Sequence, residues 1–120
     1  MRILIVDDSD AMRRGVKDLL SSKADWKVCG EARNGDEGIQ KARELRPDVI
    51  LLDISMPGMN GLDVARTLRQ DLGKAKILIM SQNDAMQLMP SVLKAGADGC
   101  IDKSHLAAEL VTVIEKLTGL

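Results

Sequence analysis

Aromatic residues are almost absent from this chain: Trp26 stands alone, with no Phe and no Tyr. A core without rings must be built from aliphatic side chains, and the seven methionines, flexible enough to fit irregular gaps, take up part of that volume. Cysteine is scarce too. Cys29 and Cys100 sit in apolar, strand-like segments without metal-ligand spacing, so buried, reduced thiols are expected. The single histidine, His105, has no second catalytic group beside it and is assigned no role. Neither sign of charge forms a block, and the formal net charge of -1 excludes a basic nucleic-acid footprint or a polybasic membrane patch. No apolar run has membrane length, and no basic segment with a long apolar stretch opens the chain, so no membrane contact and a cytoplasmic location are expected.

What is present fits one globular unit, residues 1–120, with 45% hydrophobic and 29% charged residues around a single core. Short apolar runs alternate with longer segments of helical period, the pattern of repeated βα units around a parallel sheet. Five strands are predicted: Arg2 to Asp7, Lys27 to Glu31, Val49 to Asp53, Lys76 to Met80 and Gly99 to Asp102. Val, Ile and Leu dominate the first, third and fourth, which suits strands covered on both faces. The helices between them show narrow apolar stripes: Met12, Val16, Leu19 and Leu20; Gly38, Ala42 and Leu45; Leu62, Ala65, Leu68 and Leu72. Asn34 and Asn60 read as caps, and Ser104 as the opening of the last helix, ahead of Leu106, Leu110, Val113, Ile114 and Leu117. Pro90 would remove a hydrogen bond from the interior of the fourth helix, so a late start near Pro90 or a bent first turn is expected.

In an open parallel sheet, ligands gather at the carboxyl ends of the strands. Asp7 and Asp8 follow the first strand, Asp53 closes the third, Ser81 follows the fourth and Lys103 the fifth. Like charges about 4 Å apart repel by roughly 4 kcal/mol at an effective dielectric near 20, so clustered acids call for a cation. Three carboxylates suit a hard ion such as Mg²⁺, while a hydroxyl and an ammonium suit the oxygens of a phosphoryl group. The set points to phosphoryl transfer, which depends on positioning and charge neutralisation.

These residues resemble the receiver domain of two-component response regulators over the whole chain. The resemblance rests on Asp7-Asp8, on the run Asp53-Ile54-Ser55-Met56-Pro57-Gly58-Met59-Asn60-Gly61, on Ser81, and on Lys103 after Gly-Ala-Asp-Gly. It implies an α/β fold: a flavodoxin-like (βα)5 three-layer sandwich with strand order 2-1-3-4-5. It also implies that Asp53 accepts a phosphoryl group from a sensor histidine kinase or a histidine phosphotransfer protein. Asp8, Asp53 and the Ser55 backbone carbonyl would hold Mg²⁺, with Asp7 acting largely through water; Ser81 would hydrogen-bond the phosphoryl group and Lys103 pair with it. Hydrolysis of the acyl phosphate would reset the domain. Signal output is expected through movement of Ser81 and reorganisation of the fourth helix, fifth strand and fifth helix, with Ser55 and Asn83 tuning water access. A homodimer on phosphorylation, a downstream effector and a linked DNA-binding domain absent from this chain are further implied partners.

Two departures qualify the resemblance. The position three before the lysine carries Cys100 where an aromatic switch residue is common, and Lys103 is followed by Ser104 where Pro is frequent. That ending resembles receivers of the NarL/FixJ class. Two other functions compete. Asp8-Ser9-Asp10 superficially fits an aspartate-nucleophile phosphatase, which would leave Asp53 unused. A flavodoxin-like binding module would use the same crevice without chemistry, yet no Gly-rich phosphate loop follows the first strand.

Overall fold

The computed structural model describes residues 1–58, 60–82 and 84–119. Five strands, β1 (Arg2–Val6), β2 (Lys27–Ala32), β3 (Val49–Asp53), β4 (Lys76–Ser81) and β5 (Gly99–Asp102), alternate with five helices, α1 (Asp10–Leu20), α2 (Gly35–Leu45), α3 (Gly61–Asp71), α4 (Ala85–Lys94) and α5 (Leu106–Thr118). All strands are parallel, in the order β2-β1-β3-β4-β5. That is the architecture expected from the sequence. Among the described residues no helix is long and apolar enough to cross a membrane.

Strand periodicity sorts the core into two layers. Leu4, Val6, Ile50, Leu52, Ile77 and Ile79 face α2, α3 and Val92 of α4. Ile3, Ile5, Val49, Leu51, Leu78 and Met80 face Val16 and Leu20 of α1 and Leu110 and Ile114 of α5. Because β1, β3 and β4 are covered on both sides, nearly every residue in them is apolar, and β3 is buried throughout.

The differences from expectation have local causes. Val6 ends β1, although the Asp7 N–H still reaches Ala32 O at 3.0 Å and so extends the pairing without a full ladder step. A bulge between Ile3 and Leu4 leaves Cys29 opposite no partner residue, and on this edge strand the thiol is half-buried; Cys100 is half-buried as well. Neither cysteine is the fully buried residue the sequence suggested. The fourth helix does not wait for Pro90. Asp84 caps it, accepting from Met86 N at 2.9 Å, and Pro90 lies inside. The hydrogen bond Pro90 cannot donate would have ended on Met86, which is 84% exposed, so water can take that carbonyl. Nor does Ser104 cap the last helix: Asp102 accepts from Ser104 N, and a 3-10 turn, Lys103–His105, leads into α5. Asn34 caps α2 as read, and Asn60 caps α3 through Leu62 N. Met59 and Asn83 lie outside the described residues, and so does the role in water access expected of Asn83.

Candidate functional site

The carboxyl edge of the sheet gathers the groups singled out from the sequence. Asp7 follows β1, Asp53 ends β3, Ser81 ends β4 and Lys103 follows β5. Asp7, Ser81 and Asp53 are buried, Asp53 with 2% of its surface exposed, whereas Asp8 is solvent-exposed. Carboxylate oxygens of Asp7, Asp8 and Asp53 all lie within 4.8 Å of one another. The Lys103 ammonium bridges two of them, 3.0 Å from Asp7 Oδ2 and 3.3 Å from Asp53 Oδ2.

Local backbone turns hold these carboxylates in place. The Ser9 N–H donates to Asp7 Oδ1 at 2.9 Å, and the Ser55 N–H donates to Asp53 Oδ1 at the same distance. Each aspartate thus receives a backbone N–H from two residues on, an Asx turn that leaves the second oxygen for Lys103. The loop after Asp53 is pinned on its other side by α3. A Cβ on Gly61 would come within 2.6 Å of Ile54 Cα, so only glycine lets the helix start this close. Ile54 N also donates to Met80 O, which ties that loop to β4.

Burial raises the Asp53 carboxyl above its ordinary pKa; the Ser55 N–H opposes this, nearby Asp7 adds to it, and Lys103 opposes it. Three carboxylates and one ammonium leave a formal excess of two negative charges, which a divalent cation would neutralise. The donors are all oxygen, which fits a hard ion such as Mg²⁺. Asp10, the acid a phosphatase reading would use, sits in the first turn of α1 and pairs with Arg13. A groove of about 680 Å³ lies at the opposite edge of the sheet, lined by residues that include Met1, Arg46, Asp48, Leu72 and Lys76. Trp26, next to the start of β2, is also at that far edge.

Sequence reading missed Arg13, which is 6% exposed and donates through Nη1 to the Asp7 carbonyl oxygen at 2.6 Å. A signal was available: Arg13 lies three residues before Val16 and seven before Leu20, in register with the buried stripe of α1.

The response regulator receiver domain family model matches residues 3–115. The nitrate/nitrite response regulator protein NarL of Escherichia coli is 40% identical over 114 residues, covering 95% of this chain and 53% of that protein. The chain thus spans about half the length of that relative. The chemotaxis protein CheY of Thermotoga maritima is 38% identical over 117 residues, covering 98% of this chain and 97% of CheY. Among solved structures, a LuxR-family two-component response regulator from Aurantimonas sp. SI85-9A1 superposes with a TM-score of 0.91 at 35% identity, covering 98% of this chain and 85% of that one. The response regulator domain of Thermotoga maritima CheB gives a TM-score of 0.88 at 31% identity, over 100% and 97%.

Proposed function

The chain belongs to the response regulator receiver family of two-component signalling, and from that premise we propose that residues 1–120 form one receiver domain with Asp53 as phospho-acceptor. The observation that carries this reading is the position of Lys103, whose ammonium lies between the buried carboxylates of Asp7 and Asp53 with Asp8 alongside. Asp7 shares its burial, its Asx turn and its contact with Lys103, and Asp53 is set apart by its place at the end of β3, beside β4, which ends in Ser81.

In the reaction an oxygen of the Asp53 carboxylate attacks the phosphorus of a phosphohistidine. The P–N bond breaks, the imidazole leaves with its electron pair, and Asp53 keeps the phosphoryl group as an acyl phosphate. The donor is a sensor histidine kinase or a histidine phosphotransfer protein. Asp8, Asp53 and the Ser55 carbonyl would hold Mg²⁺, with Asp7 acting through water. That ion supplies charge neutralisation for the incoming phosphoryl oxygens. Lys103, already 3.3 Å from Asp53 Oδ2, pairs with the same oxygens, and Ser81 supplies a hydroxyl from the adjacent strand end. Burial keeps bulk water from the acyl phosphate, whose eventual hydrolysis resets the domain. The domain is a signalling element and turns over no substrate beyond its own phosphoryl group.

Output is assigned to α4, β5 and α5. The apolar, exposed face of α4, with Met86 84% and Leu93 54% exposed, belongs to the next helix in the chain after Ser81. Cys100 on β5 packs against the α3 and α4 layer where an aromatic residue would otherwise report the phosphorylated state. A linked DNA-binding output domain is compatible with the half-length match to NarL, and a homodimer on phosphorylation is proposed alongside it. The location is assigned as cytoplasmic.

The test is intact-mass measurement after incubation with a small-molecule phosphodonor and Mg²⁺. One phosphoryl adduct is expected on the native chain and none on Asp53→Asn; an adduct that persists in the variant would overturn the assignment. Faster amide exchange across 84–95 in the phosphorylated protein checks the output surface, and unchanged exchange there removes α4 from it.

A further inference from the structure

Four polar or charged side chains are buried among the described residues: Asp7, Asp53, Ser81 and Arg13. Three belong to the site described above. The fourth reaches the site through the backbone.

Arg13 spends its guanidinium on three acceptors. Nη1 donates to the Asp7 carbonyl, Nε donates to Glu31 Oε1 at 3.0 Å, and Nη2 donates to Asp10 Oδ1. Glu31 is itself anchored by Lys17, whose ammonium is 2.8 Å from Oε2. That contact, opposed by burial and aided by Arg13, holds the Glu31 carboxyl below its ordinary pKa. The guanidinium is therefore fixed from β2 and from the first turn of α1 before it touches the Asp7 carbonyl.

That carbonyl belongs to the peptide joining the two acidic residues. Since the peptide is planar, the direction of Asp7 C=O also sets the direction of the Asp8 N–H and the point from which the Asp8 chain departs. Every other polar group of Asp7 is held as well: N–H by Ala32, Oδ1 by Ser9 and Oδ2 by Lys103. Asp8 itself is exposed, so the peptide it shares with Asp7 is the part of it that this network holds.

We propose that Arg13 is a positioning residue for the acid cluster, clamping the Asp7–Asp8 peptide so that the Asp8 carboxylate meets those of Asp7 and Asp53. The proposal rests on the cation-binding reading of that cluster. A positioning role and a simple charge effect have opposite signs. Removing a positive charge near three carboxylates should by Coulomb's law tighten binding of a divalent cation. Releasing the peptide should weaken it, and loss of an orienting partner behind a metal ligand typically weakens affinity about tenfold to hundredfold.

The experiment is an Mg²⁺ titration followed by amide NMR, well below the unfolding temperature, on the native chain, Arg13→Met, Arg13→Lys and Asp8→Asn. Arg13→Met keeps an apolar residue on the buried stripe and should bind about tenfold or more weakly, with the Asp8 amide resonance already shifted before cation is added. Arg13→Lys keeps the charge but not the three-way fork and should fall between the two; it decides the matter if the methionine variant does not fold. Native or tighter affinity in the folded Arg13 variants, with Asp8→Asn weakened, overturns the positioning role and leaves the cation site standing. Native affinity in Asp8→Asn removes the cation site itself.

Discussion

Replacing Asp53 by Asn should make the cation-free protein more stable while abolishing its chemistry. Asp7 lies within 4.8 Å, which at an effective dielectric near 20 corresponds to at least about 3.5 kcal/mol of repulsion. Lys103 at 3.3 Å offers about 5 kcal/mol of attraction on the same basis. Asp8 is exposed and screened, so it adds little. The charge interactions leave at most about 1.5 kcal/mol in favour of the ionised carboxylate, against a burial penalty of several kcal/mol. Burial wins, in agreement with the raised Asp53 pKa, and asparagine should gain about 1 to 3 kcal/mol. The pH dependence has a definite sign. A carboxyl whose folded pKa lies above its unfolded value binds protons more tightly when folded, so wild-type stability falls as pH rises from the unfolded toward the folded pKa. The advantage of the variant should therefore be small in acid, grow through that window and level off above it. Added Mg²⁺ should reverse the trend, because at a hundred times its Kd a ligand stabilises the native state by about 2.7 kcal/mol and the variant has lost one ligand oxygen. Urea unfolding of both proteins at a series of pH values, with and without Mg²⁺, measures this. A variant less stable than wild type at neutral pH, or a difference that does not change with pH, would refute the reasoning.

Gly61→Ala should destabilise by about 1 to 3 kcal/mol, since its Cβ would press on Ile54 Cα at 2.6 Å and backbone cannot yield as a side chain can; thermal unfolding reads the loss, and an unchanged midpoint would contradict it. Pro90→Ala should restore one helical hydrogen bond in α4, raise stability by roughly 1 to 2 kcal/mol and slow amide exchange across 84–95. The Cys100 thiol, pushed up to about 11 by burial with a smaller contribution from Asp102, should be alkylated about a hundredfold more slowly at pH 8 than in the unfolded chain; equal rates would mean the thiol is not desolvated. Trp26, beside β2 at the edge away from the acids, should show no fluorescence change during an Mg²⁺ titration that saturates the site.

The strands were legible because their two-sided burial leaves little but Val, Ile and Leu in β1, β3 and β4, and the acids at their ends stand out against those runs. Asp7, Asp8, Asp53 and Lys103 could thus be named before their distances were known. Boundaries were less legible where a side chain takes over a backbone role. Asp102 caps the turn that Ser104 was expected to open, and Asp84 starts α4 well before Pro90. Arg13 stands in register with the buried stripe of α1, yet its partners were not legible, because a charged residue in an amphipathic helix is normally solvated and only the fold brings Glu31 of β2 beneath it. Cys29 is half-buried because β2 lies at the edge of the sheet, where Val28 to Glu31 are all only partly covered, and strand position is not readable from the local pattern.

The central claim is that the phosphoryl group resides on one carboxylate, that of Asp53. Borohydride reduction of the freshly phosphorylated protein, followed by peptide mapping, converts an aspartyl phosphate to homoserine and marks its position. Homoserine at residue 53 alone is the expected result; homoserine at residue 7 or 8, or a phosphoryl group that resists reduction, would contradict the account.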